Sequence, residues 1–429
     1  MKKTIAILLV AVLAMCSVFA EIALGGEAKV AFTGDFDKKS AAFDNTSKAK
    51  LTLDANSASK VYEGDIYAGI KATLEFEIGK ALTSASVNAA PTGVEDAIKT
   101  ESADFLKVKK FKIDEAYITD GNWKVSILSA AATPTFAKGW ETAKSGDDNK
   151  DVTLAVAVGK DIPGVTVEYA GWKVGAGLKA TFKDGEKKEG MLTLATPSFT
   201  FDAVSVKAGA GAANKDGKLT VGGGVEAKYA TDAFSATVAG DVVYGKVGNT
   251  FDAAVSAKVE VTPVTVDAFY AKSAKLYDKV ATYADRYFTG AGDTKDYLSA
   301  KVAGSFAINE QPVTVTLVGL DLINKQYLDL EAKSTFSGVE TYLNGGYEVK
   351  AKLTHLGVGA SYTMDKVGKI YGGVGMSITT KVDSLKAKVG IENKTLVSGA
   401  TLAAEYATGN LVAETDKFGK ITASAKITF

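Results

Sequence analysis

The last nine residues of the chain alternate apolar and polar side chains and end on an aromatic: Ile421-Thr422-Ala423-Ser424-Ala425-Lys426-Ile427-Thr428-Phe429. Because successive side chains of a β-strand point to opposite faces, one face of this strand is apolar and the other is polar. The pattern suits a membrane β-barrel strand, with hydrocarbon on one side and water on the other. A soluble antiparallel sheet with one solvated face fits the same residues.

The first residues read as a secretory signal, with a Lys2-Lys3 start, an apolar stretch at 5–15 and a Val18-Phe19-Ala20 cleavage site. We expect a signal peptide at 1–20 and an outer-membrane β-barrel domain at 21–429. A lipidation site at Cys16 is the competing interpretation, which the bulky Met15 fits poorly. Cleavage after Ala20 leaves the mature chain without a thiol for disulfides or metals.

Composition narrows the class of protein. Beyond the signal no run of ~18 apolar residues occurs, so a spanning helix is excluded and any membrane span must be made of strands. The 50 basic and 50 acidic residues balance, which argues against a nucleic-acid partner. The 46% hydrophobic content is divided into short alternating pieces.

The clearest alternating segment is 65–78, which is longer than the ~9–11 residues that a spanning strand needs. Its apolar face carries Ile66, Ala68, Ile70, Ala72, Leu74, Phe76 and Ile78, and its polar face carries Tyr67, Lys71, Thr73, Glu75 and Glu77. Similar alternation recurs along the mature chain without a linker. We therefore predict an all-β fold, a single large antiparallel transmembrane β-barrel of about 16–20 strands, which would enclose an aqueous channel.

Glycine pairs and long connections mark the ends of the predicted strands. Asp184-Gly185, Asp216-Gly217 and Gly345-Gly346 are predicted hairpin turns. Glycines at period two on the polar face, interpreted as relief of crowding in a curved sheet, are Gly175, Gly177, Gly209, Gly211, Gly357 and Gly359. Connections at 79–106, 131–150 and 272–295 are too long for turns, and we expect long connections on the outer side. The last has helical spacing from Leu276 to Tyr287, which would fold inward to narrow a pore or, as we favour, form a surface loop.

The polar faces supply candidate pore-lining charges: Lys71, Glu75, Glu77, Lys173, Lys179, Lys183, Lys207, Glu226 and Lys228. A lining of both signs favours weak charge preference. The alternative for any single one is a solvated strand residue. Aromatic residues available for interface belts are Trp123, Trp172, Tyr67, Tyr117, Tyr169, Phe182, Tyr244, Phe306 and Tyr362.

The sequence offers little for catalysis. Its one histidine, His355, falls on a polar strand face, where we interpret it as a solvated residue, and no nucleophile motif accompanies it. Neither a His-x-x-x-His pair nor a cysteine cluster is present. We predict no enzyme, no catalytic residue, no cofactor and no metal.

The Lys-Lys signal, the first strand at 27–32, the lysine-rich strands with Arg286 as their exception, and the terminal Ile427-Thr428-Phe429 resemble the major surface (outer sheath) protein family of treponemes, which are spirochaetes. The resemblance implies pore formation, antigenic loops and contact with host surfaces. Phe429 resembles the signal that outer-membrane assembly machinery recognises.

We therefore expect an outer-membrane, porin-like channel for passive diffusion of small hydrophilic solutes, a major surface protein with membrane lipid and assembly machinery as partners. The alternative is a surface adhesin and antigen whose loops bind host matrix proteins while the barrel is an anchor. A soluble β protein of the periplasm or surface is a third hypothesis, and a homo-oligomer is left open.

The alternation at 65–78 predicts opposite outcomes for neighbouring substitutions. Ile70→Lys should impair insertion by ~2–4 kcal/mol if it lies near the bilayer midplane, because it places a charge in lipid. Lys71→Ile should leave assembly largely intact. The folded fraction is measured by heat-modifiable gel migration, and equal losses in both variants would contradict the assigned faces.

Overall fold

The computed structural model describes residues 20–56, 66–78, 106–127, 130–139, 142–143, 149–150, 153–154, 162–181, 187–245, 250–275 and 294–428. The strands in these residues are β1 (Ala20–Asp35), β2 (Ser40–Asn56), β3 (Tyr67–Ile78), β4 (Leu106–Thr119), β5 (Trp123–Ser126), β6 (Thr142–Ala143), β7 (Asn149–Lys150), β8 (Thr153–Leu154), β9 (Gly164–Tyr169), β10 (Trp172–Thr181), β11 (Lys187–Ala195), β12 (Phe199–Phe201), β13 (Val204–Lys215), β14 (Lys218–Ala230), β15 (Phe234–Gly245), β16 (Thr250–Val261), β17 (Val264–Lys275), β18 (Thr294–Ile308), β19 (Gln311–Leu320), β20 (Tyr327–Phe336), β21 (Val339–Glu348), β22 (Leu353–Met364), β23 (Gly368–Ile378), β24 (Val382–Asn393), β25 (Ala400–Ala407) and β26 (Lys420–Thr428). The described residues contain no helix long and apolar enough to cross a membrane, a finding about helices alone. Residues 1–19 of the predicted signal and Phe429 lie outside the described residues.

The main sheet closes on itself. Each strand pairs antiparallel with its neighbours in chain order, with β5 beside β9, and the last strand, β26, pairs with β1 from Glu27↔Thr428 to Asp35↔Lys420. Of the 24 strands in this sheet, β12 continues β11 and β8 pairs only with β17 among the described residues, which leaves 22 in the ring. The predicted antiparallel barrel is confirmed. Its strand number exceeds the expected 16–20 because most turns are shorter than we assumed.

The two faces of the ring differ in polarity. In β22 the apolar Leu356 and Val358 are 42% and 54% exposed, whereas His355 and Ser361, at the alternate positions, are 1% and 5% exposed. In a closed sheet the more exposed side chains lie on the convex face. The polar face is therefore the inner one and the apolar face is the outer one.

The connections differ in length between the two ends of the barrel. Those at 79–105, 127–163, 276–293 and 408–419 join strands at one end, here called the loop end. Most connections at the other end, here called the turn end, where β1 starts and β26 finishes, have two or three residues, such as 170–171 and 337–338. The longer ones at that end are 57–66 and 394–399. An even number of antiparallel strands places the start of β1 and the end of β26 on the same side.

The predicted hairpin turns have three outcomes. Asp216 and Gly217, with φ of 53° and 78°, form the two-residue turn between β13 and β14, as predicted. Asp184-Gly185 lies outside the described residues. The Gly345-Gly346 turn is wrong, because both glycines lie inside β21, where a Cβ on Gly346 would be 2.3 Å from the Tyr327 hydroxyl oxygen.

Closure predicts that cysteines at paired positions of β1 and β26 can be joined. Ala31 and Ser424 are directly opposite on the inner face, so Ala31→Cys with Ser424→Cys should form an intramolecular disulfide. Gel mobility with and without reductant is the measurement. Ala31→Cys with Ser377→Cys is the control and should not cross-link, because Ser377 lies on β23 opposite His355 and Ser384 and is not beside β1. Absence of the first cross-link in folded protein would contradict a closed ring.

Candidate functional site

Residues 130–139 form an extended segment, here called the inward segment, which crosses the inner face of the barrel. It belongs to the long connection between β5 and β9. Its sequence, Ala-Ala-Ala-Thr-Pro-Thr-Phe-Ala-Lys-Gly, is rich in small residues, which suits close approach to a sheet. The expectation that long connections lie on the external side stays a prediction for 131–150, because a segment can enter the lumen from either end of a barrel.

Hydrogen bonds fix the beginning of the inward segment. The Ala131 amide donates to Thr166 Oγ1 of β9 at 2.8 Å, and Thr193 Oγ1 of β11 donates to the Ala131 carbonyl at 2.5 Å. Thr166 and Thr193 are 4% and 3% exposed. The hydroxyl groups of two strands thus supply backbone partners for a segment that is not itself a strand.

Glycines provide the space for the inward segment. A Cβ on Gly211 would lie 2.1 Å from Thr133 Oγ1, and one on Gly209 would lie 2.4 Å from Pro134 Cγ. A Cβ on Gly175 would lie 2.8 Å from the Ala131 amide nitrogen, and one on Gly177 would lie 3.0 Å from the Ala130 Cβ. These four glycines therefore leave room for the inward segment, a contact that the interpretation as relief of crowding in a curved sheet did not include. Gly357 and Gly359 are buried on β22, where that explanation stays a prediction.

Asp241 of β15 fixes the middle of the inward segment. Its carboxylate accepts hydrogen bonds from the Phe136 amide at 3.0 and 3.1 Å and from the Ala137 amide at 2.6 Å. The side chain is buried and Ala239 and Val243 flank it on the same face. Bonds to a charged acceptor are about twice as strong as neutral ones, so Asp241 is the main anchor.

The inward segment ends beside β16, where the Lys138 amide donates to Ser256 Oγ at 3.4 Å. Eight residues of extended chain span ~26 Å. The six strand spacings from β9 to β16 add up to roughly 29 Å, a distance that shortens on a concave face. The inward segment therefore runs nearly perpendicular to the strands.

A recess of about 460 Å³ lies where the inward segment ends. Its lining includes Lys138, Glu226, Lys258, Asp267 and Lys301, together with Phe136, Thr237 and Ser256. Lys301 pairs with Asp267 at 2.9 Å, and Glu226 pairs with Lys207 at 2.8 Å. Charges of both signs thus border the same opening.

The predicted pore-lining residues fall into three groups. Lys71, Lys173, Lys179, Lys207, Glu226 and Lys228 lie on the inner face, as their registers with neighbouring strands require. Lys173 pairs with Glu168 at 2.9 Å, and the Lys71 ammonium is 6.0 Å from the Tyr117 ring centre. Glu75 and Glu77 occupy the same backbone phase in β3, but their side chains lie outside the described residues, as does Lys183 altogether.

Sequence reasoning missed Asp241, Lys138, Lys258, Asp267 and Lys301. Asp241 could have been identified from the sequence, because it is a single acid between the apolar Ala239 and Val243 on one strand face, which indicates a carboxylate with specific partners. Lys138 had none, since its place depends on how a loop folds.

His355 is not a solvated residue, because only 1% of it is exposed. Its ring is 6.0 Å from that of Tyr327, and Asn344 beside them donates to Asp329 Oδ1 at 3.3 Å. His355 therefore belongs to a buried polar cluster on the inner face of β20–β22. In the described part of the chain, no three His, Cys, Asp or Glu side chains are arranged to hold a metal ion.

Outward-facing aromatic residues form a band at each end of the barrel. The band at the turn end consists of Trp123, Tyr169, Trp172, Phe199, Phe201, Tyr229, Phe234, Phe306, Phe336 and Tyr362. The band at the loop end consists of Phe36, Tyr244, Phe251, Tyr347 and Tyr406. Tyr67 and Tyr117 were predicted wrongly, because they contact each other on the inner face, and Phe182 lies outside the described residues.

The proposed helix in 272–295 is not tested. Residues 272–275 belong to β17 and residues 294–295 belong to β18. The helical spacing from Leu276 to Tyr287 lies outside the described residues.

Comparisons with known proteins find remote structural likeness only. No family model matches the chain, and no curated protein matches it. The P pilus usher (PapC) translocation pore has a TM-score of 0.38 and 8% identity over 95% of this chain and 99% of that one. OccAB3 of Acinetobacter baumannii has a TM-score of 0.35 and 10% identity over 96% of this chain and 99% of that one. A mutant Rh. blastica porin has a TM-score of 0.31 and 10% identity over 95% of this chain and 100% of that one. Likeness this distant carries no argument about what the chain does.

The anchoring role of Asp241 can be measured by hydrogen exchange. Asp241→Asn should raise exchange of the Phe136 and Ala137 amides by roughly 10- to 100-fold, because charged hydrogen bonds contribute about 1.5–3 kcal/mol. Mass spectrometry of peptides covering 130–139 gives the readout. Asp252→Asn is the control, since Asp252 is also buried on the inner face but accepts from Ser273. Unchanged exchange in Asp241→Asn would exclude the anchor.

Proposed function

We propose that the chain is a passive channel of the cell outer membrane for small hydrophilic solutes, with its lumen narrowed by the inward segment. One observation carries the proposal: a segment of the chain is bound across the polar inner face of a closed barrel. Barrels of 16–18 strands already leave an aqueous channel, and diameter grows with strand number. A ring of 22 strands would be wide, so a segment across it sets the passage.

The outer face supports contact with lipid. Phe234 and Tyr244 belong to opposite aromatic bands and are ten residues apart on the outer face of β15. Ten residues span ~33 Å along a strand, and a tilt of ~40° reduces this to a height of ~25 Å. That height matches the apolar band of outer-membrane barrels.

The loop end supports an orientation. Membrane barrels have short periplasmic turns and longer external loops. On this rule the turn end, with both ends of the strand ring, faces the periplasm, and the loop end faces outward. The inward segment therefore enters the lumen from the external side.

The paired charges support weak charge selectivity. Lys207 with Glu226, and Lys301 with Asp267, place neutral pairs beside the passage. Selectivity for one sign of ion requires a ring of one charge. Small solutes would then be limited by size, and the proposed mechanism is diffusion without chemistry.

The remaining expectations stay predictions. They are the signal peptide, the major surface protein resemblance, adhesion to host matrix proteins, antigenic loops, recognition of Phe429 by assembly machinery and a homo-oligomer. Pore lining by the inner-face lysines and glutamates is likewise part of the proposal.

Single-channel recording in planar bilayers tests the channel. Lys138→Cys, treated with a bulky thiol-specific reagent, should lose conductance because the modified side chain borders the recess. Val238→Cys is the matched control, since Val238 is 54% exposed on the outer face of β15. The wild-type mature chain contains no cysteine if cleavage follows Ala20, so the reagent has one target.

One result would reject the channel, and another would reject its narrowing by the inward segment. Inserted wild-type protein without conductance would leave the barrel as an anchor, as the adhesin alternative requires. A channel equally insensitive to modification at both positions would place the inward segment outside the conducting path.

A further inference from the structure

A groove of about 540 Å³ runs along the outer face beside the seam where the ring closes. Its floor is formed by Ala404, Ala423 and Ala425 on β25 and β26. Phe32 of β1 borders one side, and Ile391 of β24 and Leu396 border the other. Small side chains between large ones make an apolar trough, here called the seam groove, parallel to the strands.

The turn-end rim of the seam groove is fixed by Asn393. Its Nδ2 donates to the Lys366 carbonyl at 2.9 Å, and its Oδ1 accepts from the amides of Thr395 and Leu396 at 2.9 and 2.7 Å. Gly368, with φ of 101°, lets the β22–β23 turn approach β24, because a Cβ there would lie 2.2 Å from the Glu392 carbonyl oxygen. Asn393 thus ties together the two connections that form the rim.

The rim presents one exposed lysine beside the seam groove. Lys366 lines the seam groove and is exposed, and it lies four residues beyond Tyr362 of the turn-end aromatic band. Lys394 of the adjoining connection adds no net charge, because its ammonium forms an ion pair with Glu392 at 2.9 Å. Aromatic bands lie at the level of lipid headgroups, where a lysine attracts anionic lipid.

We propose that the seam groove binds one acyl chain of an anionic phospholipid whose phosphate contacts Lys366. The inference rests on the proposed membrane location of the outer face, but not on conduction. Apolar side chains match the acyl chain along the trough, and the lysine at one end matches the headgroup. The groove and the charge together fix both the position and the direction of the lipid.

A second copy of this chain fits the seam groove less well. A twofold axis along the membrane normal would keep the same ends of two barrels together and face the same patch with itself. Lys366 of both copies would then lie at one level, where like charges repel. A dimer is therefore an outcome of the test that would count against the proposal.

Native mass spectrometry of the full mature chain, released from nanodiscs that contain phosphatidylglycerol and phosphatidylcholine, tests the site. Wild type should retain one phosphatidylglycerol in preference to phosphatidylcholine. Lys366→Gln should weaken that preference about fivefold, which corresponds to the ~1 kcal/mol of a lysine near an anionic surface. Ala423→Leu should fill the floor and abolish retention of either lipid.

Matched controls separate the site from general effects. Lys352→Gln also changes an exposed lysine with positive φ in a turn, but at the loop end. Ala360→Leu adds the same bulk to the outer face of β22, outside the seam groove. Both should retain phosphatidylglycerol like wild type, and heat-modifiable migration verifies that each variant is folded.

Each other result overturns the proposal. Equal retention of the two lipids by wild type excludes the headgroup contact, and retention that survives Ala423→Leu excludes the groove. If Ala423→Leu does not fold, unchanged retention in Lys366→Gln still rejects the site. A wild-type dimer cross-linked through this face assigns it to a second copy. Conductance is recorded from the same preparation. Wild-type protein that conducts but does not retain the lipid rejects the lipid site and leaves the proposed channel standing.

Discussion

A β-sheet leaves a row of unpaired backbone amides and carbonyls at each open edge, and in the lipid location that we propose every one of them needs a partner within the protein. Unpaired groups in hydrocarbon cost several kcal/mol each, so an open edge cannot be left there. The pairing of β26 with β1 removes the last edge of the ring. Once the ring is closed, each side chain must lie either inside or outside, and the alternating sequence decides which.

A wide closed ring encloses more space than its own side chains fill. In this barrel the inward segment occupies part of that space, and small residues on the sheet and on the segment allow the two to approach closely. Glycines of β10 and β13 leave room, and an Ala- and Thr-rich segment occupies it. Asp241 then fixes the segment through backbone amides, so the contact needs no complementary side chains. The geometry of the lumen therefore depends on the glycine positions as much as on the residues that form hydrogen bonds.

Much of this was predictable from local pattern. The alternation at 65–78 and at 421–428 predicted the fold class. The phase of their own strands assigned Lys173, Lys207 and Glu226 to the inner face, because side-chain direction in a strand depends only on position parity. Predictions from the local sequence were wrong where a residue packs against a side chain from another strand. Gly346 was predicted to form a turn but accommodates Tyr327, and His355 was predicted to be solvated but is buried beside the same tyrosine. Neither contact leaves a trace in the neighbouring sequence.

The two-faced antiparallel strands are encoded locally, since a period of two in polarity does not depend on how the sheet is arranged. Long-range packing was needed to close the 22 ring strands of the described residues, to turn residues 130–139 inward and to open a groove at the seam. These features join residues far apart in the chain, such as Asp241 with Phe136 or Phe32 with Ala423. Their free energy comes from contacts across the barrel, which no stretch of neighbouring residues encodes.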